Sequence, residues 1–206
     1  MKKQILIHVS GPSGSGKTTM MRSVYSKLSK LSRQNTLLVD TDEIDDRIML
    51  MFIQHPKYQK WFDSNNDINR DKRSKLHEKF VREEFKKLLA TGKNIVLFGI
   101  SLGYIHDADY KYSIKIDPKT CYKQAMLRTL DDITQNANSI RKVLKSDLSP
   151  EIIRTYCIHK FHLRQNFIGS VSSLDTWREF YREETAAGYK VLSFDDIHDK
   201  IINILK

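Results

Sequence analysis

Short apolar stretches alternate along the chain with longer segments in which apolar residues recur every three or four positions. The first pattern predicts buried β-strands, and the second predicts amphipathic helices. Their alternation is typical of crossover units that build a mostly parallel sheet. The predicted strands are Ile5–Ser10, Thr36–Asp40, Asn94–Ile100, Tyr112–Ile116 and Lys190–Phe194. We therefore expect an α/β protein with one five-stranded sheet.

The helical pattern is clearest between the predicted strands. It predicts a first helix over Lys17–Leu31 and a second from about Asp42 to Phe52. A long amphipathic helix precedes the third strand, and its apolar side contains Leu76, Phe80, Phe85, Leu88 and Leu89. Gly92 lies just past its end and suits a left-handed C-terminal cap. The final helix is predicted at Ile197–Leu205.

The segment from about Lys119 to Gly188 loses the strand pattern and becomes helical and strongly charged. That is too much helix for one crossover, so we expect a helical insertion over the sheet, with Asp117-Pro118 opening its first helix. A chain of 206 residues can bury one good core and is short for two independent domains. We expect a single domain over residues 1–206, with the insertion at about residues 128–187.

Composition narrows the classes of partner. The net charge of +10, from 35 Lys and Arg against 25 Asp and Glu, indicates a surface that attracts nucleotides, sugar phosphates or nucleic acid, or one that is simply basic and solvated. Cys121 and Cys157 form neither a disulfide framework nor a zinc motif, which favours a reducing compartment. No apolar run approaches the roughly 18 residues that span a bilayer, so we expect a soluble, cytoplasmic protein without a membrane partner.

The strongest motif lies directly after the first predicted strand. Residues 11–18 read Gly-Pro-Ser-Gly-Ser-Gly-Lys-Thr and match the pattern G-x-x-x-x-G-K-[ST], followed by a predicted helix. Glycines let successive N–H groups turn inward and, with the helix N-terminus, form a nest for phosphate oxygens. The residues expected to contact a nucleoside triphosphate are Gly11, Pro12, Ser13, Gly14, Ser15, Gly16, Lys17, Thr18 and Thr19.

Within this loop, Lys17 would reach the β- and γ-phosphates and the Thr18 hydroxyl would bind Mg²⁺. A second signal follows the second strand, where Asp40 and Asp42 should lie beside the loop at the carboxyl edge of the sheet. Asp42 could instead cap a helix, with Glu43 in the first turn, and both roles can hold at once.

Some motifs common in nucleotide-binding proteins are missing. The chain contains neither the Asp-x-x-Gly nor the Asn-Lys-x-Asp string that a switch GTPase needs. The third strand ends without an aspartate, so magnesium must rely on Thr18 and a carboxylate from the second strand.

With these motifs the chain resembles the small P-loop phosphotransferases related to nucleoside monophosphate kinases, especially the shikimate, gluconate and adenylyl-sulfate kinase types. The resemblance rests on residues 11–18, Asp40-x-Asp42, Gly99, and the stretch from Ile116-Asp117-Pro118 to Leu127-Arg128. It implies a three-layer P-loop NTPase fold in which Asp40 holds Mg²⁺ through water, Asp42 orients or deprotonates the acceptor hydroxyl, and Arg128 begins a lid. This lid is longer than the family's compact versions and lacks a clear second arginine four residues after Arg128.

Together these features predict a kinase that moves the γ-phosphate of Mg·ATP to a small acceptor such as a nucleoside, nucleotide or sugar, the preference for ATP resting on the resemblance alone. A polynucleotide 5′-hydroxyl kinase and a non-catalytic ATP-binding regulatory protein are the alternatives. Arg47 either grips an anionic acceptor or is a surface arginine. The residues after strand three are expected at the functional, carboxyl edge of the sheet, where they either line the acceptor pocket or form a loop without chemistry: Tyr104, His106, Asp107 and Asp109.

Overall fold

The computed structural model describes residues 4–12, 14–59, 67–99, 107–121, 123–124, 149 and 174–206. The strands are β1 Leu6–Ser10, β2 Thr36–Asp40, β3 Asn94–Phe98, β4 Tyr110–Ile114 and β5 Lys190–Leu192. The first five helices are α1 Lys17–Lys27, α2 Lys30–Gln34, α3 Thr41–Gln54, α4 Pro56–Gln59 and α5 Asp67–Leu89. Helix α6 is described at residues 118–121 and 123–124, and it is followed by α7 Leu174–Ala186 and α8 Phe194–Leu205.

The five strands form one sheet in the order β2-β3-β1-β4-β5, and every pair is parallel. This confirms the prediction of an α/β chain with a five-stranded parallel sheet. The prediction for β4 was two residues too late. Asp117 explains the difference, because its Oδ2 accepts hydrogen bonds from the N–H and hydroxyl of Thr120 (2.9 and 3.0 Å), so the chain is already entering α6 there.

Capping residues also move three helix boundaries from their predicted places. Helix α1 ends at Lys27 rather than Leu31, because the Ser29 side chain accepts the N–H of Ser32 and starts α2. Helix α8 begins at Phe194 rather than Ile197, since Ser193 accepts the N–H of Asp196. Each serine satisfies a helical N–H that would otherwise lack a partner, and α3 starts one residue early for the same kind of reason.

Apolar residues of the central strands alternate between two faces of the sheet. Ile7 and Val9 pack with α1 and α8 on one face, where Ile197 and Ile201 are fully buried. Leu6 packs with Ile95 and Leu97 on the other face, against Phe85, Leu88 and Leu89 of α5. Helices therefore cover both faces, and the loop between β1 and α1 leaves from the middle strand.

Helix α5 confirms its predicted apolar side, because Leu76, Phe80 and Leu88 pack against the cluster formed by Ile44, Ile48, Phe52 and Val81. Gly92 has a φ of 69°, as predicted for a left-handed cap, and its N–H donates to the Leu89 carbonyl (3.2 Å). Most of the predicted insertion at 128–187 lies outside the described residues, and its described end contains the whole of α7. None of the helices within the described ranges is long and apolar enough to cross a membrane.

Candidate functional site

The loop between Ser10 at the end of β1 and Lys17 at the start of α1 has the geometry of an anion-binding turn. Gly14 and Gly16 have φ values of 78° and 92°, a left-handed conformation that glycine adopts without steric cost. The N–H of Ser15 donates to the Pro12 carbonyl (3.1 Å) and tightens the turn. The predicted succession of strand, glycine loop and helix is confirmed at this point, although Ser13 lies outside the described residues.

The N-terminus of α1 carries no compensating negative charge. Its capping residue is Gly16, so no side chain caps the first N–H groups, and the first turn contains no acidic residue. The helix dipole places a partial positive charge at this turn, to which the Lys17 ammonium adds a full one. Thr18 and Thr19 occupy the same turn, Thr18 half-buried and Thr19 exposed.

The Lys17 side chain bends back over its own loop. Its ammonium donates to the carbonyls of Gly11 (2.6 Å) and Pro12 (2.9 Å). These two bonds hold the charge against the loop rather than in solvent. An incoming phosphate would therefore meet an ammonium that is already beside the backbone nest.

Asp40 and Asp42 lie at the same edge of the sheet as this loop. Asp40 is in register with Phe98, and Phe98 is in register with Val9, one residue before the end of β1. Since neighbouring strands are about 4.8 Å apart, the backbones of Asp40 and Val9 are about 10 Å apart. The capping role considered for Asp42 belongs to Asp40, whose Oδ1 accepts the N–H of Asp42 (3.0 Å). Asp42 and Glu43 are exposed in the first turn of α3.

Gly99 lies between these two parts of the site. Its N–H donates to the Val9 carbonyl (3.1 Å), which extends the pairing of β3 with β1. Thr41 is buried against it, so a Cβ on Gly99 would lie 1.5 Å from Thr41 Oγ1 and 2.7 Å from Thr41 Cβ. The absence of a side chain at residue 99 lets the start of α3 close onto the end of β3.

Gly99→Ala is therefore expected to lower the free energy of unfolding by about 1–3 kcal/mol or more, because Thr41 must shift to admit the methyl group. Gly92→Ala is the control, since its Cβ would meet no atom within 4 Å and the cost is the left-handed backbone alone, about 1 kcal/mol. Urea denaturation measures both. Thr41→Gly in the Gly99→Ala background should recover part of the loss, and a Gly99→Ala variant as stable as the wild type would contradict the packing argument.

A row of polar residues lies on the β1 and β4 face opposite α1 and α8. His8 and Ser10 alternate with the apolar Ile7 and Val9, and Ser113 is in register with Ser10. All three are completely buried. Ser10 Oγ donates to Oε1 of Glu184 (2.9 Å), and His8 Nδ1 is hydrogen-bonded to the Tyr189 hydroxyl. The sheet thus carries a buried polar layer directly behind the glycine loop.

His8 is held neutral in this layer. Burial lowers its pKa from the ordinary 6.5 to about 4, and the charges of Lys111 and Lys17 act in the same direction. The unfolded chain therefore binds a proton between these pH values while the folded protein does not. Stability that is present above pH 6.5 is lost as the pH falls towards about 4.

Replacing His8 with glutamine should flatten this dependence. Between the two pKa values the wild type is expected to lose about 3 kcal/mol more stability than His8→Gln, measured by denaturation across the range. Tyr189→Phe removes the hydrogen bond but leaves the buried imidazole, so it should lower stability and keep the steep slope. Identical slopes in the wild type and His8→Gln would show that His8 does not titrate as described.

Other predicted residues divide into three groups. Arg128, Tyr104 and His106 lie outside the described residues, and Arg47 is exposed on α3. Asp107 is also exposed. The prediction that Asp109 lies at the functional edge was wrong, because its Oδ2 accepts the N–H of Leu6 (2.9 Å) at the amino end of β1. Since β4 runs parallel to β1, the chain must return to that opposite edge before β4 begins.

Two residues near the loop were missed in the sequence. Glu184 and Ser10 are separated by 174 positions and meet in the buried layer. A helical signal was available, since Trp177, Tyr181 and Glu184 follow each other at four- and three-residue spacings and share one face of α7. An acidic residue on a face that contains a buried tryptophan is a candidate for a buried carboxylate.

No protein-family model matches this chain, and a search of curated proteins finds no match either. Among the described residues, no three His, Cys, Asp or Glu side chains come close enough to hold a metal ion by themselves.

Proposed function

We propose that this protein is an ATP-dependent phosphotransferase of the P-loop NTPase fold. The observation that carries the proposal is the loop itself, in which left-handed Gly14 and Gly16, an uncapped helix N-terminus and Lys17 converge within one turn. Backbone N–H groups together with one ammonium fit the β- and γ-phosphates of a nucleoside triphosphate. The strand order and the closure of α3 onto Gly99 are compatible with the same fold.

The residues present fit magnesium bound to that triphosphate. The Thr18 hydroxyl and the Asp40 carboxylate are oxygen donors of the type that Mg²⁺ prefers, and they lie at one edge of the sheet. Bound there, the ion would neutralise charge on the phosphate oxygens. Asp40 also caps α3 through the N–H of Asp42, which fixes its carboxylate at the end of β2.

Asp42 is the proposed catalytic base. The acceptor hydroxyl oxygen forms a bond to the γ-phosphorus while the bond from that phosphorus to the bridging oxygen breaks, and ADP departs with the electron pair. The hydroxyl proton passes to Asp42, which is exposed in the first turn of α3 and can meet an acceptor from solvent. From the resemblance, Arg128 is proposed to neutralise charge on the transferring phosphate.

The direct test is to incubate the protein with Mg·ATP and pools of nucleosides, nucleotides, sugars and 5′-hydroxyl oligonucleotides, and to follow ADP release. Acceptor-dependent release above the acceptor-free rate supports a kinase. Calorimetry that finds no affinity for any purine triphosphate with magnesium present would overturn the proposal. Nucleotide binding without turnover on any pool would favour a regulatory ATP-binding protein.

The charge of +10 would also suit the alternative acceptor, the 5′ end of a polynucleotide. Binding to oligonucleotides through many phosphate contacts would weaken steeply as salt is raised, whereas binding of a small acceptor would change little. The salt dependence of acceptor affinity therefore separates the two types of kinase.

A further inference from the structure

The carboxylate of Glu184 lies directly behind the phosphate-binding loop. The side chain is on α7, only 5% exposed, and its Oε1 accepts the Ser10 hydroxyl (2.9 Å). Ser10 is the last residue of β1 and immediately precedes Gly11. The second oxygen, Oε2, is buried and has no hydrogen-bond partner among the described residues. A buried carboxylate with one oxygen unsatisfied is costly to keep ionised.

The groups around Glu184 come from several elements. Lys17 of α1 favours the carboxylate form, and Glu183, exposed at the preceding position of α7, opposes it. Tyr181 of α7 interacts electrostatically with both Glu184 and Cys121 of α6, and the buried His8 and Ser113 lie in the same polar layer as Ser10.

These neighbours contribute little charge. Burial raises the pKa of the Cys121 thiol to about 11 and that of Tyr181 to about 12, so both are neutral under ordinary conditions. The low pKa of His8 keeps its imidazole neutral as well. Burial raises the pKa of Glu184 above its usual value, while the Ser10 hydrogen bond and Lys17 act in the opposite direction.

We propose that Glu184 responds to the charge in the loop in front of it and takes up a proton when a triphosphate binds. The inference rests on the proposed function, because it requires the Lys17 ammonium to leave the carbonyls of Gly11 and Pro12 and turn to the phosphates. The cation that favours ionised Glu184 is then neutralised by the phosphates. The negative charge of the nucleotide arrives at the same time. Both changes favour the protonated form of a buried carboxyl.

Proton uptake on binding makes the affinity for the nucleotide depend on pH. If the complex holds one more proton than the free protein, affinity for the nucleotide rises as the pH falls. Without nucleotide, Glu184→Gln removes the cost of a buried charge. Burial raises the pKa of Glu184 in the folded protein. Its carboxyl is therefore fully protonated at low pH, and the stability that this protonation contributes is lost as the pH rises through the folded-state pKa. The variant should therefore melt at a higher temperature than the wild type at neutral pH, and the difference should vanish in acid.

The test is isothermal titration of Mg·ATP at neutral pH in two buffers with different ionisation enthalpies. Glu184→Gln is compared with the wild type, so the proton linkage of the nucleotide itself cancels. The wild type is expected to take up more protons than Glu184→Gln, and its affinity should weaken about five-fold more than that of the variant as the pH is raised. Glu183→Gln changes the same charge on an exposed neighbour and should behave like the wild type. Ser10→Ala should take up fewer protons, because loss of its hydrogen bond leaves Glu184 protonated beforehand.

The outcomes separate the two proposals. Tight binding with equal proton uptake in the wild type and Glu184→Gln overturns the role of Glu184 and leaves the proposed function standing. Absence of Mg·ATP binding by the wild type overturns both. The melting experiment needs no nucleotide, and a Glu184→Gln variant no more stable than the wild type at neutral pH would also overturn the inference.

Discussion

Lys17→Met is expected to lower the affinity for Mg·ATP about 100-fold or more, because hydrogen bonds to charged partners contribute about 1.5–3 kcal/mol each and this side chain would serve two phosphates. Methionine is similarly long and is also a good helix former, so the fold should be retained. The measurement is calorimetric titration with Mg·ATP, followed by ADP release with an active acceptor. Both signals should fall together.

The matched control is Lys27→Met, at the last turn of the same helix. It removes the same charge from an exposed residue about 15 Å along the helix axis from Lys17. Its affinity for nucleotide should change less than about two-fold, since solvent and salt screen the charge at that distance. Equal losses in the two variants would mean that overall charge, rather than the loop, attracts the nucleotide. An unchanged Lys17→Met variant would remove the loop from the mechanism.

The local patterns in the sequence predicted the sheet well. Four strands have five residues and β5 has three, and the predicted strand boundaries differ from the structure by at most two positions. The conformation of Gly92 and the glycine loop after β1 could also be predicted from the sequence, because both depend on glycine torsions within one turn. Such features are determined by residues close together in the chain.

Helix ends were predicted less well because capping is a competition between neighbouring polar residues. Ser29 interrupts the apolar pattern that runs from Met20 to Leu31, and nothing in the periodicity shows that its hydroxyl will take the N–H of Ser32. At the start of α3 the capping side chain is that of Asp40 rather than that of Asp42. The sequence pattern does not distinguish these two aspartates as helix caps.

Contacts between distant segments were the hardest to predict. The hydrogen bond from Ser10 to Glu184 joins residues 174 positions apart, and it depends on α7 crossing behind β1. Asp109 was assigned to the wrong edge because a loop that follows a strand usually begins at the carboxyl edge, whereas its last residues must end at the amino edge. Long-range topology, rather than local chemistry, decides these positions.

Asp40 and Asp42 are close in the chain but lie in different surroundings. Asp40 has its Oδ1 engaged by the N–H of Asp42, so it is fixed at the end of β2 and suited to hold a cation or water. Asp42 lies two residues later in the first turn of α3 and is exposed, so its side chain can follow an acceptor. Two carboxylates in one turn would thus have different tasks, one in binding and one in proton transfer.

Asp42→Asn is accordingly expected to lower turnover by about 10²–10⁴-fold, the usual contribution of a general base, while affinity for Mg·ATP changes less than about two-fold. Asparagine keeps the shape of the side chain but cannot accept the acceptor proton. Glu43→Gln is the matched control, because it removes one negative charge from the same exposed turn and has the same effect on the helix dipole. Its turnover should stay close to that of the wild type. If both variants lose turnover equally, the electrostatics of the turn and not a base at Asp42 governs the rate, and if Asp42→Asn keeps full turnover, proton transfer must use another group.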